Sequence, residues 1–222
     1  LLMIEVIFRN TQSLAGWGKP EMLVILALSR FVEGTMDTLF SRNIAELPHI
    51  VMTGQFDLNL LKPGSAQFYT AFRRFHFHNI GNIVGGIGLL IYAVSQLPTI
   101  PSMSSWLLFM CLIFTSLLIF YSLLILVASL VFRLERLESM WGFLTLFTEP
   151  LTIPFDIFPR GPRIVLTYLL PLAFVVFVPA QALTGRLAWW QAPVAIGMAA
   201  AFFILANLTW QAGLRRYSSA SS

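Results

Sequence analysis

Lys19 and Lys62 are the only lysines, and each is followed by a proline, Pro20 and Pro63. A phosphate-cradling loop needs a glycine-rich turn that ends in Lys and then Ser or Thr. Neither lysine fits, so this chain does not hydrolyse ATP by that chemistry. His76 and His78 are the closest pair of metal-ligand type, and no Cys, Asp or Glu stands beside them. Two ligands make a poor metal site, and interfacial packing beside Arg73 and Arg74 suits the pair better. Cys111 is the single cysteine, which excludes an internal disulfide and a thiolate cage. Serines are plentiful, but no Gly-x-Ser-x-Gly or Ser/His/Asp pattern accompanies them. Glu135 and Glu138 interleave with Arg133 and Arg136 and read as the solvated start of an inner helix. The expectation is a chain with no catalytic residue, no metal and no cofactor of its own.

Three charges are spaced for another purpose. Arg30, Glu33 and Asp37 fall on one helix face at i, i+3 and i+7, inside an apolar window. Charge within a membrane span is costly, so it pairs or faces a wet cavity. Two readings stay open: a polar wall of a translocation path or subunit seam, or an Arg30–Glu33 ion pair that only fixes helix packing. Gly81 and Gly85, with Gly86 and Gly88, open another apolar window. Small residues let helices approach closely in lipid, and packing is the reading for them.

The elements that hold these residues are membrane helices. The chain has 222 residues, of which 57% are hydrophobic and 11% charged. A soluble domain has roughly 45–50% apolar and roughly 25% charged residues. There is too little charge here to cover a soluble surface. A helix needs about 20 apolar residues to cross the hydrocarbon. The windows predict an all-α integral membrane fold of six spans: 1–8 (partial, a truncated first helix), 20–41, 79–97, 104–132, 164–185 and 189–212. The runs do not alternate polar and apolar residues, which excludes a β-barrel.

Lys and Arg concentrate on the cytoplasmic side of membrane proteins. With residues 42–77 inside, ten of the 14 basic residues fall inside, three outside, and Arg30 within a span. Both ends of the intact protein are then cytoplasmic, and Trp17, Trp106, Trp189 and Trp190 lie at the outer interface. The positive inner face meets anionic headgroups, not nucleic acid. The short outer loops leave no domain to capture a substrate. Two inner segments are longer, 42–77 and 133–163. In the first, Ile44, Leu47, Ile50 and Val51 predict a short amphipathic helix that Gly54 ends. In the second, a greasy stretch from Trp141 to Phe147 is too short to span and is followed by Pro150, Pro154, Pro159 and Pro162. It reads as an interfacial or re-entrant inner segment. The polar tail after Tyr217 reads as frayed.

The stretch "ELPHIVMTGQFDLNLLKP" (Glu46–Pro63) resembles the first inner loop of the ABC-2 type transporter permeases. "LSRFVEG" (Leu28–Gly34), "LTYLLPLAFVVFVPAQAL" (Leu166–Leu183) and the closing "GLRRYSSASS" fit the same family. The likeness extends over nearly the whole chain; the missing start and Gly64-Ser65 after the loop proline depart from the pattern. The resemblance implies a transmembrane exporter subunit in a bacterial inner membrane. It pairs with a second permease, the same or different, and docks on separate ATPase subunits that bind the ATP and Mg2+. It implies a coupling helix at about Asn43–Gly54, and so ATPase-coupling roles for Glu46, His49, Gly54, Asp57 and Lys62. Alternatives from other classes are an ion-gradient carrier, for which Arg30, Glu33 and Asp37 would serve, and an assembly protein without transport. A path lined by Phe, Leu and small residues suits an amphipathic or lipid-like cargo, with drugs, peptides and glycans open as alternatives.

Overall fold

The computed structural model describes residues 2–132 and 140–217. The charges expected to start an inner helix (Arg133, Glu135, Arg136, Glu138) and the tail at 218–222 lie outside the described residues. The described chain is helical, with one isolated bridge between Leu14 and Trp17. In order come α1 (Leu2–Asn10), α2 (Lys19–Leu39), four short helices α3 (Ser41–Ala45), α4 (Leu47–Met52), α5 (Phe56–Leu60) and α6 (Ala66–Ala71), then α7 (Ile80–Ser95) and α8 (Met103–Ala128). After these follow α9 (Trp141–Thr148), α10 (Arg160–Ile164), α11 (Phe177–Leu183) and α12 (Gln191–Leu214).

Three helical stretches are long and apolar enough to cross a membrane: Phe77–Ser95, Met103–Phe132 and Gln191–Leu214. Helix α2 has 21 residues, about 31 Å at the usual rise, but it carries the charges noted above. Its start is fixed locally, because Glu21 Oε2 accepts the Gly18 N–H at 2.7 Å and Pro20 sits in the first turn. Helices α2 and α7 run antiparallel in close contact. A Cβ on Gly86 would lie 2.7 Å from the Phe31 backbone nitrogen, and one on Gly34 2.9 Å from Asn82 Cβ. Gly81, Gly85 and Gly88 face open space instead. The packing expected of the glycine run is therefore made by Gly86 alone, with Gly34 opposite. Helix α12 lies along α8, and their last turns meet at Gly213, where a Cβ would stand 3.1 Å from the Ser129 carbonyl oxygen.

Two expected elements differ. Trp17, just before α2, donates its indole N–H to Asp156 Oδ2 at 2.9 Å, and Asp156 Oδ1 accepts from Arg163 at 2.6 Å. Residues 140–163 therefore do not stay at one end of the bundle. Thr145 and Thr148 in α9 stand beside Glu33 and Asp37, in the half of α2 nearest residues 41–79. Asp156 reaches Trp17 at the opposite end. The stretch 141–157 thus joins the two ends of the bundle. It combines α9 with 3-10 turns and an extended break at Ile153–Pro154, which together cover roughly 30 Å.

The second difference is 164–185, expected as one span. It is bent by 70° between Arg160–Leu169 and Leu172–Leu183. Both flanks return to Trp17: Arg163 through Asp156, and Arg186 directly, with its guanidinium 4.8 Å from the indole centroid. The tip reaches the middle of α8, where Ser116 Oγ donates to the Phe174 carbonyl at 3.0 Å. The two arms thus form a hairpin whose flanks both lie at the Trp17 end of the bundle. Pro171 supplies the break, since proline has no N–H for the preceding turn. Arg186 closes the mouth by bridging Glu21 at 2.7 Å and the Gly16 carbonyl at 2.8 Å.

Candidate functional site

The helices α3 to α6 form a compact knot below α2. The predicted amphipathic pattern is seen in their burial. Ile44, Leu47 and Ile50 are buried, while His49 and Met52 face out. Asn43 ties the beginning of the knot to its end: its amide nitrogen donates to the carbonyls of Ala71 and Arg74, each at 2.8 Å. Glu46 forms an ion pair with Arg73 across the same gap.

Gly54 has φ +71, the left-handed region that glycine tolerates and side chains resist. It ends α4 and turns the chain into α5. There Phe56 is fully buried, with ring centroids 5.3 Å from Phe132, 6.3 Å from Trp210 and 5.2 Å from Tyr217. Aromatic pairs of this kind contribute about 0.5–1.5 kcal/mol each beyond area burial. Asp57 follows, and its Oδ1 accepts the Tyr217 hydroxyl at 2.9 Å. Phe56 and Asp57 thus anchor the knot to the ends of both α8 and α12. Lys62 donates to Asn59 Oδ1 at 3.2 Å and lies 5.5 Å from the Tyr69 ring centroid, while Tyr69 donates to the Pro63 carbonyl at 2.6 Å.

Several large apolar side chains of the knot are exposed among polar ones such as Thr53 and Gln55. Met52 is 67% exposed, Leu58 63% and Leu61 82%, and His49 and Lys62 are exposed as well. Burial holds the His76 imidazole below its ordinary value, with the charge of Arg42 acting in the same direction. The neutral imidazole is thereby favoured. Its ring is 6.2 Å from that of His78, and among the described residues no three metal-ligand side chains gather.

Burial raises the Tyr217 hydroxyl from 10.0 to about 12, and the Asp57 carboxylate that accepts its hydrogen bond pushes the same way. The neutral phenol is thus the favoured form in the fold. Its contribution to stability is complete below pH 10 and is lost as pH rises towards 12. In a spectrophotometric titration, Tyr217→Phe is expected to remove a tyrosinate step near pH 12.

The expected coupling residues divide by place. His49 and Lys62 lie at the surface, and Glu46 is half-buried with Arg73. Gly54 sets the turn, and Asp57 faces inward. Sequence reasoning missed Asn43, Phe56 and Tyr217 as the residues that hold the knot. For Phe56 and Tyr217 the only signal was that each lies inside a stretch resembling the permeases. Within α2, Arg30 Nη1 pairs with Glu33 Oε2 at 3.2 Å. The Arg30 side chain remains 50% exposed and that of Glu33 19%. Glu33 and Asp37 border a cavity of about 170 Å3 with Ser41, Asn82, Thr145 and Thr148.

No curated protein and no solved structure matches the chain. A family model described as ABC-2 family transporter protein matches residues 1–221. With that match over almost its whole length, the chain belongs to the ABC-2 transporter family.

Proposed function

We propose that this chain is the permease subunit of an ATP-driven exporter, and that the knot at residues 41–79 is where a separate ATPase docks and delivers work. The observation that carries this reading is the two-sided character of the knot. Its outer face exposes large apolar side chains (Met52, Leu58, Leu61), and its inner face is locked to α8 and α12 through Phe56 and Asp57. A push on the outer face is delivered to two membrane helices at once. ATP and Mg2+ belong to the partner, since neither lysine of this chain stands in a phosphate loop.

The crossings in this reading are α1, α2, α7, α8, the stretch 141–157, and α12, with 160–185 as a hairpin dipping in from the outer face. Arg160 and Arg163 then move outside, giving eight basic residues inside and five outside. The bias still puts the knot and the end of α12 in the cytoplasm. Arg30 supports a second permease subunit. A half-exposed guanidinium in a span needs cover from hydrocarbon, and its pair with Glu33 leaves much of it open.

The test is purification of the tagged intact chain in mild detergent. The expected companion is a protein with a Gly-x-x-x-x-Gly-Lys-Ser/Thr loop whose ATPase activity rises in the complex; its absence would refute docking. Gly54→Val extends the test. A β-branched residue in the left-handed region costs about 1–2 kcal/mol, and space is not the obstacle, since nothing lies within 4 Å of a Cβ there. The variant is expected to insert and bind the ATPase but to lose stimulation and export. Unchanged stimulation and export would remove Gly54 from the coupling role.

A further inference from the structure

At the end of the bundle away from residues 41–79, the hairpin and the start of α12 enclose a cavity of about 370 Å3. Its polar wall is rich in donors: Arg160, Arg163, Tyr168, Gln181 and Gln191 line it, and no carboxylate does. Arg163 is held by Asp156, whose other oxygen is taken by Trp17. Arg160 has no carboxylate partner among the described residues. Gln191 donates to Gln181 Oε1 at 2.7 Å and accepts the Ala188 N–H at 2.6 Å. The amide nitrogen of Gln181 is thereby left as a donor without an acceptor among the described residues.

The floor is apolar, made by the buried side chains of Phe174, Phe177 and Val178. Trp190 lines one wall, and its neighbour Trp189 is 88% exposed. Exposed Trp pairs of this kind lie at the headgroup level of a bilayer. A free oxyanion would satisfy the donors but gain nothing from the floor. A zwitterionic headgroup would bring its own cation against Arg160.

We infer that this cavity binds an anionic amphiphile, with a phosphate-type head on Arg160 and Gln181 and the beginning of a hydrocarbon chain against Phe174 and Val178. Charge-assisted hydrogen bonds to guanidinium fix the head, and the hairpin sets the depth. The site does not depend on which motor drives the chain, so it stands or falls apart from the permease reading. The phosphate head could come from a bilayer phospholipid or from a free phosphate, and the test separates these sources.

The intact purified protein is placed in nanodiscs of phosphatidylcholine with increasing phosphatidylglycerol, and its melting temperature is followed. Phosphatidylglycerol is expected to raise the melting temperature above that in phosphatidylcholine alone. Arg160→Gln should increase the amount needed for half of that rise by about ten-fold, the scale of one hydrogen bond to a charged group. Arg160→Lys should restore part of the response. Inorganic phosphate added to phosphatidylcholine discs should give no rise. Equal melting in the two lipids would overturn the proposal, as would a full response in Arg160→Gln or a rise produced by inorganic phosphate alone. If Arg160→Gln does not fold, Gln181→Leu carries the same comparison.

Discussion

Asp57→Arg is expected to reduce ATP-driven transport by roughly ten-fold or more while the protein still reaches the membrane. A hydrogen bond to a charged group is worth about 1.5–3 kcal/mol, and each 1.4 kcal/mol is about ten-fold in an equilibrium. The substitution removes the carboxylate that holds Tyr217 and puts in its place a guanidinium, which donates and cannot accept. The knot then loses its polar tie to the end of α12, while Phe56 keeps the aromatic one. Tyr217→Phe removes only the hydroxyl and keeps the ring against Phe56 and Phe132. Its effect should be smaller, within a few-fold. The measurement is vesicle transport and ATPase stimulation of both variants in the intact complex. If Asp57→Arg matches the parent in both, the tie to α12 does not transmit work.

Gly86→Val is expected to abolish accumulation of folded protein. Its Cβ would meet the backbone nitrogen and Cα of Phe31 at 2.7 and 2.9 Å. Backbone cannot rotate away as a long side chain can, so α2 and α7 must separate. Overpacking of this kind costs about 1–3 kcal/mol, a large share of the marginal stability of most proteins. Gly85→Ala, one residue away, meets nothing within 4 Å and should change stability by less than about 0.5 kcal/mol. Detergent-resistant fluorescence of a tagged fusion reads both. Equal loss in the two variants would mean that helix propensity, not the α2–α7 contact, decides the outcome.

The sequence made α2, α7, α8 and α12 legible because each is a single long helix in which composition and length speak together. The path of 141–157 was not legible, because an eight-residue helix there passes into 3-10 turns and an extended break. No single periodicity runs through such a stretch, and its prolines look like an interruption rather than a rise. The bend within 164–185 was hidden for another reason. Residues 171–180 are apolar because they are buried against α8 and the rest of the bundle, and a hydropathy window does not distinguish protein from lipid as the apolar surroundings. The knot was half legible. Ile44, Leu47 and Ile50 announce the buried face of α4 by spacing alone. The Phe56–Tyr217 contact spans 161 positions of chain, which no local pattern encodes. The charges of α2 left two readings open, and the observed Arg30–Glu33 pair is compatible with both, since Arg30 still projects from the bundle.

Photo-crosslinking from position 61, in cells that make the complete transporter, tests the central claim most directly. Leu61 is the most exposed large apolar residue of the knot. A photoreactive residue there should give one dominant adduct that shifts when the ATPase is tagged and that depends on Gly54. An adduct confined to lipid or to outer-face proteins, with the ATPase untouched, would contradict the account.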